Sequence, residues 1–277
     1  MISIANLHYS YGRKEVFRGL NLTLEPGHIY GLLGRNGTGK STLLHNLGGL
    51  LFPQKGSINM LGFKPSQRLP SFLEQVFLVP ENFYLPPLLL KKWVRVNAPF
   101  YPSFSRQEFD RILSEFDVPA DVRLDELSYG QQKKAFIAFA LATDPAVLLM
   151  DEPTNGLDIV SKSQFRKVIA GSVDERKCIL ISTHQVRDLE NLIDEVVILD
   201  EGKILFNQSM EDIARKLEFR FSFDREEPTA TLYSESALQG NALVLANTDG
   251  RESRIDLEML YKTLITNGEA LNKIFIR

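Results

Sequence analysis

The sequence predicts an α/β fold with smaller units attached, and three observations carry that prediction. Runs such as VLLM at 147–150 are apolar on both faces, as strands buried in a parallel sheet are. Strand-like and helix-like segments alternate from HIYGLLG to about residue 80, and again from Ala146 through AVLLMDEP, SKSQFRKVIAGSV, KCILIST and EVVILD. A glycine-rich stretch, GRNGTGKST at 34–42, stands between the strand-like HIYGLL and a helix.

The elements follow in chain order. Residues 1 to about 30 (ISIANLHYSY, then LNLTLEPG) alternate apolar and polar side chains around a Tyr-Gly-Arg-Lys turn, which predicts an N-terminal antiparallel β subdomain. Residues 84 to about 143 are mostly helical after the Pro86-Pro87 break, and Phe109, Ile112, Leu113 and Phe116 recur there at helical spacing. Within this helical subdomain LSYGQQK reads as a helix start, with Ser128 as N-cap and Gln131 in the reciprocal position of a capping box. The character changes after Leu217: FRFSF, ATLY and ALVLANT read as short strands, DREEP as a solvated turn, and DLEMLYKTLITN as a closing helix. The predicted division is a main domain, 1–216, and a small C-terminal α+β accessory domain, 217–277.

Composition narrows the function classes. A chain of 277 residues, 44% hydrophobic, buries a large core, and 32 basic against 35 acidic residues leave a formal charge of −3. No basic excess attracts a polyanion, so nucleic acid is not an expected partner. The one cysteine, Cys178, permits no intrachain disulfide, fits a reducing compartment and is expected in the core. The start MISIANLHYSYGRKEVF lacks the pattern of a signal peptide. The longest apolar stretch, AFIAFALATDPAVLLM, is interrupted by Thr143, Asp144 and Pro145 and falls short of a span of about 20 residues. A cytoplasmic protein is expected, with any work at a membrane done through a partner.

The chemistry begins at GRNGTGKST, which satisfies G-x-x-x-x-G-K-[ST] in its required strand-loop-helix context. Such a loop closes backbone N–H groups around phosphates and adds the positive end of the next helix, so the α/β part is read as a P-loop NTPase core. Asn36, Gly37, Thr38, Gly39, Lys40, Ser41 and Thr42 are the expected nucleotide-binding residues. Lys40 is expected on the β- and γ-phosphates, and the Ser41 hydroxyl on Mg²⁺. Asp151 and Glu152 follow a buried strand at its carboxyl end, where ligands of parallel sheets collect. Asp151 is expected to hold Mg²⁺ through water, and Glu152 to polarise an attacking water. His184, after KCILIS, is either structural or a γ-phosphate contact.

Together GRNGTGKST, LSYGQ, VLLMDEP, NGLD and STH, in this order, resemble the nucleotide-binding subunit of an ATP-binding-cassette (ABC) transporter over about residues 1 to 210. LSYGQ is the discriminating element, since the phosphate loop alone leaves kinases, GTPases and helicases open. The resemblance implies that two cassettes, as a homodimer or a mixed pair, sandwich ATP head to tail. Ser128, Gly130 and Gln131 of one chain then cover the γ-phosphate held by the other. It implies further that Tyr11 stacks on adenine with Val16 beside it, that Asp158 communicates between sites, and that His184 is the switch histidine.

One position departs from the commonest pattern: Glu81 in FLVPENF stands where many members carry glutamine. The resemblance implies a sensing and metal-contact role for it, with added negative charge beside the triphosphate. Phe83, Tyr84 and Leu85, in the apolar stretch NFYLPPLLLKKW, are either core or, as the resemblance implies, a groove that accepts a short cytoplasmic helix of the membrane permease. The implied protein is a transport-coupled ATPase using ATP and Mg²⁺, peripheral on the cytoplasmic face of the membrane, and similar to exporters of the antibiotic- or peptide-resistance type. A soluble ABC ATPase acting on ribosomes or chromosomes is the competing reading, although neither a second fused cassette nor a long coiled coil is visible.

Overall fold

The N-terminal alternation produces strands β1 (Ile2–Tyr11) and β2 (Lys14–Leu24), paired antiparallel from Ile2 opposite Leu24 to Tyr11 opposite Lys14. These come from a computed structural model of the chain, which describes residues 2–223, 230–238, 240–248, 250 and 253–276. Strand β3 (His28–Leu33) leads through the glycine-rich loop into helix α1 (Lys40–Leu47). Strand β4 (Lys55–Met60) then differs from expectation: the sequence alternation assigns it to the α/β sheet, yet it pairs antiparallel with β1. The reason is its single apolar face. Only Ile58 and Met60 are buried, which suits the edge of a half-solvated sheet and not a sheet covered on both sides.

A short helix α2 (Pro70–Leu73) precedes β5 (Val76–Val79), and three helices follow: α3 (Leu90–Asn97), α4 (Arg106–Glu115) and α5 (Tyr129–Ala142). Phe109, Ile112, Leu113 and Phe116 are all buried, as their spacing requires. Phe139 of α5 sits at the centre of their aromatic core, 4.7 Å from the Trp93 ring and 5.3 Å from Phe104. The chain returns to the sheet through β6 (Val147–Asp151), α6 (Ile159–Ala170), β7 (Cys178–Thr183), β8 (Glu195–Asp200) and β9 (Lys203–Ser209).

The resulting six-stranded sheet has the order β5-β6-β7-β3-β8-β9, parallel except for the β8–β9 hairpin. This order sets the ends of β3, β7 and β6 side by side, so three loops distant in sequence open at one edge. Cys178 is buried in β7, where desolvation pushes its thiol up to about 12 and leaves it inert. Among the described residues, no helix is long and apolar enough to cross a membrane.

Helix α7 (Met210–Lys216) runs directly into β10 (Leu217–Ser222), which joins β12 (Gly240–Ala246) and β11 (Thr231–Ala237) in a second antiparallel sheet. Helix α8 (Leu257–Ile276) covers it. The sequence ends this helix at Asn267; in the structure Asn267 leaves helical geometry (φ −142°, ψ 41°), donates to the Leu232 carbonyl at 3.1 Å, and the chain turns helical again. Leu257, Leu260 and Leu264 share one apolar core with Phe206, Ile213 and Leu217. The expected turn DREEP lies outside the described residues.

Candidate nucleotide site

The site begins with the backbone of the glycine-rich loop. Gly37 and Gly39 have φ of 82° and 109°, and a Cβ on Gly39 would stand 2.8 Å from Val16 Cγ1, so the loop lies against β2 only because that side chain is missing. No side chain caps α1, whose N-cap is Gly39 itself. Its first amides therefore keep their donors, and the partial positive charge of the helix end, for an anion.

Lys40 folds back over this loop and donates to the carbonyls of Gly34 at 2.8 Å and Arg35 at 3.3 Å. Burial holds its ammonium below the ordinary lysine value, against the opposing pull of the Glu152, Asp151 and Glu81 carboxylates. Its Nζ is 3.8 Å from Glu152 Oε1.

Glu152 is 5% exposed and adopts φ 45°, a left-handed conformation that side chains rarely take. Surrounding bonds hold it there. Its amide donates to the Ser182 carbonyl at 3.0 Å, the Thr183 hydroxyl donates to Oε2 at 3.0 Å, and the His184 amide donates to Oε1 at 3.0 Å. His184 Nδ1 lies 2.8 Å from the same Oε1. Asp151 sits deeper and accepts from the Ser182 hydroxyl. Glu81 reaches the edge from the segment after β5, its Oε1 accepting from Asn155 Nδ2 at 3.1 Å.

These groups surround a cavity of about 920 Å³. It is lined by Tyr11 and Val16, by Asn36 through Thr42, and by Glu81, Glu152 and His184, all expected from the sequence. The Tyr11 ring stands edge-on to Tyr9 at 5.0 Å, leaving a face half open to solvent. Its hydroxyl is 3.5 Å from the Thr42 hydroxyl. The structure does not bring every expected residue here. Asp151 lies beneath the lining, and Ser128, Gly130 and Gln131 stand away from it at the start of α5. There the capping box is complete: the Gln131 amide donates to Ser128 Oγ at 3.3 Å, and the Ser128 amide donates to Gln131 Oε1 at 3.0 Å.

Sequence reasoning missed Lys14, Glu15, Arg18, Arg35, Asp200, Glu201 and Gly202, which also line the cavity. Arg35 pairs with the buried Asp200 at 3.3 Å. The residues after EVVILD carry no motif of their own; only the adjacency of β3 and β8 brings them to the loop. Of the three residues expected on a docking groove, Leu85 is buried and Phe83 is stacked between Tyr129 and Phe136, at 5.6 and 5.0 Å. Both are committed to packing. Tyr84 alone projects, 82% exposed.

The geometry agrees with comparison to known proteins. The family model described as ABC transporter matches residues 17–155. A bacitracin transport ATP-binding protein, BcrA of Bacillus licheniformis, is 32% identical over 232 residues, covering 80% of this chain and 75% of that one. The ABC transporter ATP-binding protein YtrB of Bacillus subtilis (strain 168) is 27% identical over 229 residues, 82% of this chain and 78% of that one. A solved ATP-binding subunit of an ABC transporter superposes with a TM-score of 0.70 at 26% identity, covering 78% of this chain and 92% of that one. A phosphate loop, an acidic strand end and a capped LSYGQ helix on one such sheet have a common explanation: this chain belongs to the ABC transporter family, as its ATP-binding ATPase component.

Proposed function

We propose that the chain hydrolyses ATP as one of two cassettes paired head to tail, and so drives a separate transmembrane permease in the direction of export. One observation carries this reading: the cavity gathers the phosphate loop, Glu152 and His184 but not Ser128, Gly130 or Gln131 of the same chain. The chain holds half of a site and, on another face, the half that a second copy needs. Ile159 and Val160, directly after Asp158, are 86% and 69% exposed, an apolar pair that suits a covered interface. Asp158 caps α6 by accepting from the Ser161 amide at 2.7 Å, which fixes the start of that interface segment.

In the closed pair Tyr11 stacks on the base with Val16 at its edge. The loop amides and Lys40 hold the phosphates, and the partner copy contributes its α5 helix end. Glu152 accepts the proton of the water that attacks the γ-phosphorus in line, while His184, held by Glu152, contacts the phosphate. Among the described residues, no cluster of three His, Cys, Asp or Glu forms a dedicated metal site. The donor set available, the Ser41 hydroxyl, Asp151 and Glu81, consists of hard oxygens and fits Mg²⁺ arriving with the nucleotide, whose chemistry is to neutralise charge on the phosphates. Residues 1–216 would form the ATPase domain and 217–277, with their separate sheet, the accessory domain. Association with the membrane through the permease follows from the same reading. The bacitracin transport relative supports an antibiotic or peptide as cargo, and relatives that serve Nod factor export support the direction.

The test is the concentration dependence of turnover. Specific ATPase activity should fall on dilution as pairs dissociate, and Glu152→Gln should lose about 100-fold or more in kcat while trapping an ATP-bound dimer on size exclusion. A rate indifferent to dilution in a protein that stays monomeric would sink the paired-site reading.

A further inference from the structure

Immediately beyond the LSYGQ cap, Lys133 lies in the second turn of α5 with no exposed surface. An ammonium taken out of water needs acceptors and countercharge. Its acceptors are two carbonyls of the loop after β6: Asn155 O at 2.9 Å and Glu152 O at 3.3 Å. The Tyr129 ring lies 5.4 Å from Nζ. Among the described residues Lys133 makes no direct ion pair, so its countercharge acts through space. Burial holds the ammonium below the ordinary lysine value, and Glu81, Glu152 and Asp151 supply the countercharge that opposes this.

Glu81 is the unusual member of that trio, and two short bridges join it to Lys133. Asn155 donates its side-chain amide to Glu81 Oε1 at 3.1 Å while its carbonyl accepts from Lys133. Tyr129 donates its hydroxyl to the Glu81 carbonyl at 2.9 Å while its ring lies beneath the ammonium. Without Lys133, three carboxylates would share Lys40 as their buried cation, and the left-handed main chain of Glu152 would lose a bond that helps hold it.

We propose that Lys133 is a positioning residue for hydrolysis: it fixes the main chain on both sides of the loop that carries Glu152, and it balances the extra carboxylate of Glu81. The proposal rests on the ATPase reading above.

A double-mutant cycle tests it. Lys133→Met should lower kcat by about tenfold or more with ATP affinity changed less than about threefold, because the loss falls on the geometry and charge around Glu152. Adding Glu81→Gln should recover part of that loss, making the double variant faster than Lys133→Met alone, since the unbalanced carboxylate is removed while the main-chain bonds stay lost. Unchanged kcat in Lys133→Met, or a double variant as slow as the product of the two singles, overturns the proposal. If Lys133→Met does not fold, Glu81→Gln alone decides: its Tm should fall by about 2–4 °C as the buried ammonium loses countercharge, and an unaltered Tm overturns it. Wild-type protein without ATP turnover would overturn the function itself, whereas a normal wild type beside an unimpaired Lys133→Met overturns only this inference.

Discussion

Lys40 and Glu152 illustrate how much of this site is electrostatic arrangement held by neighbours. Lys40 points at loop carbonyls and lies 3.8 Å from Glu152, so an arriving phosphate would meet a cation already buried and aimed. Replacing Lys40 with alanine removes that charge from a site it cannot be supplied to by solvent. ATP affinity should fall by about two orders of magnitude, equivalent to about 2.7 kcal/mol, as read by equilibrium binding of a fluorescent ATP analogue. Normal binding would contradict the phosphate-loop assignment. Lys40 and Glu152 were legible as lining residues from their motifs, and Tyr11 and His184 only through the family resemblance. Arg35 and Asp200 were not, since their pairing joins positions 165 apart in sequence.

At the scale of elements, the contact between the glycine-rich loop and β2 is the most sensitive joint. Gly39 combines a left-handed backbone with a Cβ position 2.8 Å from Val16 and 2.9 Å from Phe17. Gly39→Ala should therefore cost about 1–3 kcal/mol in stability through strain. It should also weaken ATP binding, because the first amides of α1 tilt away from the anion. Chemical denaturation and nucleotide titration of the same variant would read both effects; wild-type values in both would show that the loop tolerates the methyl. The capping box of α5 is an element that local sequence specifies fully, since all its bonds lie within four residues. The sheet of β4 is not: its single apolar face suits an edge strand, but which sheet it joins depends on its pairing with β1, about fifty residues earlier in the chain.

For the whole molecule, the join between the two proposed domains governs behaviour. Helix α7 passes into β10 without a linker, and α8 packs its leucines into the core shared with Phe206 and Ile213. Ion pairs from Arg254 to Glu190 at 2.7 Å and from Arg187 to Glu258 at 3.5 Å tie the same end of the chain to the segment after His184. These exposed pairs add little stability by themselves; the continuous apolar core adds more. The chain should accordingly unfold in one cooperative calorimetric transition. Two resolved transitions, with ATP raising the Tm of only one, would mean that the C-terminal unit is independent.

The sequence by itself determined the chemistry: a phosphate loop between strand and helix, two acids at a buried strand end, and a capped LSYGQ helix, each written within a few adjacent residues. It also determined the alternation that makes an α/β sheet and the departure at Glu81. Only the tertiary structure decided which strands are neighbours, and hence that Asp200 reaches the loop, that Leu85 is core, and that Lys133 backs the loop carrying Glu152. Local patterns record what a residue can do and which face of its element is apolar. Long-range pairing depends on the burial of many such faces at once, and no single window of the chain contains that sum.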